Sequence, residues 1–315
     1  QPVAKEPPQD APPPDRPVHI PIADYDYFTP ELTAEIKQEL ARLDGPLISI
    51  IMPVYDTPAE WLRLAIESVQ SQWYPKWELC IVDDHSSRPE TIALLKNLSD
   101  PRIHVRRLAR NAHIVGASNE ALSMASGEYI ALLDHDDELT PDALYRIVKV
   151  IQREDADLIY SDEDKIDEQG HHCDVYFKPD FSPEQFLAHN YLCHLTTIRR
   201  SLVMEAGGFS PGTDGAQDYD LFLKVAELTD RIVHIPRVLY HWRKVPGSTA
   251  MEFNEKDYAQ DAGQTALENA IRRRGIDAVV GPGDHPGNYR VRYAIAGEPL
   301  VSIVIPFKDR PDLLN

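Results

Sequence analysis

Residues Leu47 to Val54, LISIIMPV, form an apolar run rich in β-branched side chains. A run of this kind is the pattern of a parallel strand covered on both faces. It therefore requires helices on each side of the sheet that holds it. The chain supplies them. Pro58 to Gln72 carries Trp61, Leu64, Ala65, Ser68 and Val69 at helical spacing. LCIV at 79–82 reads as a second buried strand, 89–98 as a helix, and Ile103 to Leu108 as a third strand. Ile114 to Ser126 reads as a helix, Tyr129 to Leu133 as a fourth strand, Thr140 to Arg153 as an amphipathic helix, and Ala156 to Tyr160 as a strand. Strands alternating with helices of this length predict βαβ units and an α/β fold whose sheet is mostly parallel. Right-handed crossovers then bring the strands' carboxyl ends to one edge. That edge gathers Tyr55-Asp56, Asp83-Asp84, Arg110-Asn111 and Asp134 to Asp137.

The flanks read differently. Seven of the first seventeen residues are proline, which predicts a disordered or extended tail over 1–28. A helix is expected within 29–45, started by Thr29-Pro30 and stopped by Asp44-Gly45-Pro46. After Ser161 the pattern loosens. Asp162 to Glu168 lacks the oxygen spacing and the sixth-position glycine of an EF-hand loop and reads as a solvated turn. Extended chain is expected over 177–181, a short helix over 183–189, and a strand over 192–198. Gly207-Gly208-Phe209 reads as a loop, 217–228 as a helix, and 232–240 as a strand. A long helix over 255–274 ends in a basic turn that suits its dipole, and 276–297 reads as a small β element. Pro299 to Asp309 then repeats Pro46 to Asp56 with Pro, Leu, Ser, Ile, Pro and Asp in register. Such self-similarity predicts that a second copy of the domain begins over 299–315.

The stretch Leu132 to Glu138, LLDHDDE, is expensive to place. Neighbouring carboxylates repel by roughly 4 kcal/mol per pair at an effective dielectric near 20. Either water surrounds them, as in an acidic turn capping a helix at Thr140-Pro141, or a cation neutralises them. Oxygen-rich clusters suit Mg2+ or Mn2+, which bring phosphates with them, and strand carboxyl ends are where open α/β sheets bind ligands. A net charge of −19 argues against nucleic acid as a partner. No apolar run approaches the ~20 residues needed to span a bilayer. Cys80, Cys173 and Cys193 are odd in number and form no CxxC, as expected of a reducing cytoplasm.

In order along the chain, ISIIMPVYD, IVDDHSS, RNAHIVGASNEA, YIALLDHDDEL, GAQDYDL and YHWR resemble an inverting family 2 glycosyltransferase of the GT-A, Rossmann-like fold. The match covers about 46–250, and the expected divisions are a transferase domain over 46–252, a helix and small β linker over 253–298, and a truncated second transferase domain from 299. The repeat at 299 is similar to tandem enzymes that build bacterial surface polysaccharides such as O-antigen or capsule.

The resemblance implies roles. Asp84 or Asp83 would accept a hydrogen bond from a uracil or thymine imide, and Pro53, Tyr55 and Asp56 would wall the nucleoside. Arg110, Asn111, Gly116 and Asn119 would form the donor-binding loop and helix, with Gly116 allowing close approach of backbone. Asp134 would lie near ribose and metal, Asp136 would bind Mn2+ or Mg2+ directly, and Asp137 would either join them or cap the helix at Thr140. His241 would be a further metal or phosphate contact. Arg243 and Ser248 would sit on a loop closing over the diphosphate. Asp218 would be the base that deprotonates the acceptor hydroxyl as it attacks the anomeric carbon, inverting the configuration in one displacement.

The QxxRW signature of processive members is missing, which argues against a processive synthase, and Gln217 stands where many relatives carry an acid. A sugar nucleotidyltransferase is the second reading, but MPVYDTPAEW has no basic glycine-rich loop. A non-catalytic glycan-binding module is the third. The implied partners are a UDP- or dTDP-sugar, a glycan acceptor that can be lipid-linked and lies near Phe177 to Asn190, and the second transferase domain. The implied location is the cytoplasm or the periphery of the inner membrane.

Overall fold

The computed structural model describes residues 30–167, 169–244, 257–306 and 308. The tail expected over 1–28 lies outside the described residues, as does Ser248. The first helix, α1 (Ala34–Leu40), starts later than expected. Thr33, not Thr29, caps it, its side chain accepting from the Ile36 amide.

The sheet is built around β1 (Ile48–Val54), which pairs in parallel with β2 (Trp77–Asp83) on one side and β4 (Tyr129–Leu132) on the other. Outside β2 lies β3 (Ile103–Arg107), again parallel and largely exposed along the edge. Beyond β4 the sheet becomes mixed. β8 (Thr196–Arg199) runs antiparallel between β4 and β6 (Leu158–Ile166), and β6 pairs in parallel with β9 (Ile232–Arg243). β5 (Glu138–Leu139) and β7 (His172–Tyr176) are antiparallel additions to β9 and β6. Parallel pairing thus dominates the first half, and the second half inserts reversed strands among strands that keep the original direction.

The alternation of side chains across a strand sends β1 into two cores. Ile48, Ile50, Met52 and Val54 pack with α2 (Ala59–Gln70), α3 (Pro89–Lys96) and α5 (Ala143–Glu154). Ile51 packs on the other face with α4 (His113–Met124) and α8 (Gln217–Val225). The linker expected over 253–298 is part of that second core. Ala266, Leu267 and Ala270 of α9 (Asp257–Arg273), Val280 of β10 (Ala278–Pro282) and Tyr289 of β11 (Tyr289–Tyr293) all join it. By contrast, residues 300–306 form no strand, and Leu300, Ile303 and Val304 are 96%, 82% and 86% exposed.

The main correction concerns Asp162 to Glu168. The expected solvated turn is, through Ile166, the buried second half of β6. Its acids are tolerated because each has a cationic or polar partner. Asp162 accepts from the Lys178 amide at 2.9 Å and lies 2.8 Å from His234 Nε2. Glu163 meets Lys178 Nζ at 2.9 Å. Asp164 lies between His241 Nδ1 at 2.5 Å and His172 Nδ1 at 2.9 Å. The strand β7 arises from a stretch the sequence left unassigned, and the strand expected over 192–198 begins only at Thr196.

At the other end of β6, Asp157 ties three strand ends together. Its carboxylate accepts from Arg199 Nε at 2.7 Å, Arg231 Nη2 at 2.7 Å and Thr229 Oγ1 at 2.5 Å. Burial opposes its ionisation, but Arg231, Thr229 and Arg199 outweigh burial and hold the carboxyl below its ordinary range. A depressed acid contributes stability above its unfolded value of about 3.9 and loses it as pH falls toward the folded value. Asp157→Asn should cost about 2 kcal/mol at neutral pH. Thermal unfolding of both proteins from pH 7 to pH 3 should show the gap closing below pH ~4; a gap independent of pH would remove the charge from this account.

Candidate active site

The carboxyl end of β4 delivers Asp134, and the N-terminus of α8 delivers Asp218. Both line one cavity of about 540 Å³, walled also by Pro53, Glu163, Asn190, His194 and Trp242. A volume of that order suits a nucleotide-sized ligand.

Asp218 is the second residue of α8; the N-cap position belongs to Ala216. Its Oδ2 accepts from Asn190 Nδ2 at 2.9 Å. Burial raises its pKa, aided by the charge of Asp134 and opposed by the Tyr219 amide, His194 and Asn190. A carboxylate made more basic in this way is better matched to taking a proton near neutral pH. Asn190 Oδ1 is buried with no hydrogen-bond partner among the described residues, so the amide that orients Asp218 also leaves an acceptor beside it. Asp220 is committed elsewhere, 2.6 Å from Ser210 Oγ and 3.0 Å from Lys224 Nζ.

The acidic stretch after β4 divides by role. Asp134 is half-exposed, with Oδ2 3.8 Å from His194 Nε2. Asp137 is buried; its Oδ2 accepts from Tyr240 Oη at 2.5 Å and its Oδ1 from the Arg243 amide at 2.7 Å. Burial and the neighbouring Asp136 and Asp134 push the Asp137 carboxyl well above the ordinary range. It fixes β5 against β9 rather than capping at Thr140. Asp136, expected as the direct metal ligand, is not among the residues lining the cavity; its side chain lies 3.4 Å from His135 Nδ1. Arg243 is buried, donating from Nε to the Asp136 carbonyl at 2.8 Å and pairing with Glu138.

Among the described residues, two groups could hold a cation by geometry: Asp134, Asp137 and His194 in one, Asp164, His172 and His241 in the other. His241 and Asp134 are thereby separated. Trp242 points into the cavity, so His241, its neighbour on β9, faces the other side of the sheet and meets Asp164.

Among the expected nucleoside residues, Asp83 is fully used, accepting from Arg107 Nη1 at 2.7 Å and the Ser86 amide at 2.8 Å. Asp84 is buried, and its Oδ1 accepts from the Ala112 amide at 2.6 Å. Asp56 clamps the loop after β2, accepting from the Ser87 and Arg88 amides at 2.6 and 2.9 Å. Tyr55 is 51% exposed at the same rim. Arg110 is exposed, and Asn111 Oδ1 accepts from the His113 amide at 3.0 Å. Gly116 is a packing residue, since a Cβ there would stand 2.6 Å from that of Ala112. Asn119 grips Phe209, donating to its carbonyl at 2.9 Å and accepting from its amide at 3.0 Å.

Sequence reasoning missed His194, Glu163, Lys178 and the wall formed by Ala259, Gly287 and Tyr289. Lys178 is buried, with Nζ on Glu163, on the Leu192 carbonyl at 2.7 Å and on the His194 carbonyl. The available signal was the two-residue alternation of Asp162-Glu163-Asp164-Lys165, which places Glu163 and Lys165 on the cavity side. The antiparallel hairpin of β10 and β11 is held by the Tyr289 amide donating to the Ala188 carbonyl at 2.8 Å, and its Tyr289 ring stacks on Tyr219 at 6.1 Å.

Residues 49–206 match the family model described as glycosyl transferase family 2. An uncharacterised Sinorhizobium fredii protein is 46% identical over 90% of this chain and 32% of its own length. The O-antigen biosynthesis protein RfbC of Myxococcus xanthus is 37% identical over 93% of this chain and 24% of its own length. The chain thus spans a third or less of the length of these relatives. The crystal structure of Staphylococcus aureus TarS 1–349 in complex with UDP-GlcNAc superposes with a TM-score of 0.56 at 18% identity, covering 72% of each chain. The fold is therefore the GT-A, Rossmann-like α/β architecture. No described helix is long and apolar enough to cross a membrane.

Proposed function

This chain belongs to glycosyl transferase family 2, and we propose that it moves a sugar, with inversion, from a UDP- or dTDP-linked donor to a hydroxyl of a growing bacterial glycan. The observation that carries this reading is the opening of Asp134 and Asp218 into one cavity at the strands' carboxyl ends. RfbC, named for O-antigen biosynthesis, and TarS, solved with UDP-GlcNAc, support the glycan and the donor class.

Asp84 accepts a hydrogen bond from the base imide, while Pro53 and Tyr55 flank the nucleoside. Asp134 faces the diphosphate and is the acidic member of a site for Mn2+ or Mg2+. A divalent ion bound there supplies positive charge against the leaving diphosphate. Asn190 holds Asp218 in place and offers Oδ1 to the acceptor. Asp218 takes the hydroxyl proton as the oxygen attacks the anomeric carbon, and the departing diphosphate leaves from the opposite face. The exposed apolar segment over 300–305, repeating the buried β1, supports the start of a second transferase domain. A cytoplasmic site of action, in solution or at the inner membrane, fits such a substrate pair.

Thermal shift with a panel of nucleotide sugars and Mn2+ tests the reading. UDP or dTDP compounds are expected to raise the Tm, and Asp84→Ala should weaken their binding by about 10–100-fold, the loss of one hydrogen bond to a charged group. No stabilisation by any nucleotide would favour a glycan-binding module instead.

A further inference from the structure

Resting on the transferase reading, we propose that His194 shares the divalent ion with Asp134, and that Glu163 positions its ring. The geometry fits a metal. Two donors each about 2.1 Å from one ion stand at most about 4.2 Å apart, and His194 Nε2 is 3.8 Å from Asp134 Oδ2. One imidazole nitrogen beside a carboxylate oxygen is a donor pair that Mn2+ accepts. Asp137, the third acid within reach, has both oxygens engaged by Tyr240 and the Arg243 amide.

The far side of the ring carries the stronger argument. His194 Nδ1 is buried and makes no aligned hydrogen bond, yet lies 3.3 Å from Glu163 Oε2. Metal-binding histidines present their second nitrogen to a carboxylate in this way, which fixes the ring and raises its basicity. Glu163 is itself anchored by Lys178 at 2.9 Å. The imidazole lies flat on Tyr240, with centroids 4.5 Å apart and planes 14° from parallel. Lys178, Glu163, His194 and Asp134 therefore form a chain that runs from the buried core to the cavity. His241 has no place in it, being held by Asp164 on the opposite face of the sheet.

The test is Mn2+ binding followed by electron paramagnetic resonance, with and without UDP. Nitrogen modulation from a coordinated imidazole is expected in the wild type, lost in His194→Ala and retained in His241→Ala. The Mn2+ affinity of His194→Ala should fall at least about tenfold, with circular dichroism confirming the fold. Glu163→Gln should keep the modulation but bind Mn2+ about 10–100-fold more weakly; unchanged affinity would remove Glu163 from the proposal. Modulation lost in His241→Ala and kept in His194→Ala would overturn it. So would absence of modulation in the wild type, a result that needs no variant to fold. Failure of UDP to bind the wild type at all would instead count against the transferase reading.

Discussion

Asp218→Asn is expected to lower kcat by about 10²–10⁴-fold, the usual contribution of a positioned general base, while UDP affinity is preserved. An amide is close to isosteric and keeps the contact with Asn190, but it cannot accept the acceptor's proton. Steady-state kinetics with saturating donor would show the loss in kcat, and a variant as fast as the wild type would eliminate Asp218 as the base. The pH profile adds a second readout. A base works only when deprotonated, and burial raises this carboxyl above its ordinary value of 3.8. The acid limb of kcat/KM should therefore fall at a higher pH than that of an ordinary aspartate. The result also separates the transferase reading from a glycan-binding module, in which the Asp218→Asn variant would bind sugars and change no rate.

Lys178→Met should be the most damaging single substitution for stability. The Lys178 side chain is fully buried, and its removal leaves Glu163 charged in the interior. Burial raises the Glu163 carboxyl, but Lys178 and His194 outweigh it and hold the group at about 2. Breaking one side of such a pair costs roughly 3–5 kcal/mol, a Tm fall of about 10 °C for a domain of this size. The double variant Lys178→Met, Glu163→Leu should recover much of that loss, because two apolar side chains remove the desolvation penalty together. A double variant no more stable than the single one would show that the lysine's carbonyl contacts, rather than its charge, were what mattered.

Much of the fold was legible because its first half obeys local rules. The runs at 47–54, 79–82 and 129–133 are apolar on both faces, and only a parallel strand between helical layers accommodates that. The Asp162–Asp164 segment was illegible for a physical reason. Its acids are acceptable in a buried strand only because Lys178, His172, His194, His234 and His241 arrive from outside that strand, and periodicity carries no record of that. The same distinction runs through the site. Asp134 follows a strand's carboxyl end, where topology alone brings it to the edge, whereas Asp218 was expected only from the family resemblance. Asp83 and Asp56, expected to face the nucleoside, both accept from loop amides, since a carboxylate beside a strand end serves backbone amides as readily as a substrate. His241 was expected at the metal from the family resemblance, and the strand's alternation turns it away from Asp134 and onto Asp164. His194 had no sequence signal, because its significance comes from Glu163 behind it.

The hairpin that carries Tyr289 lies beyond the stretch matched by the family model, yet it closes one side of the cavity and rests on Tyr219, the residue next to Asp218. The walls of this one cavity are thereby written into separable parts of the chain. Substitutions in this C-terminal wall can therefore reshape the cavity without disturbing the strand end that carries Asp134.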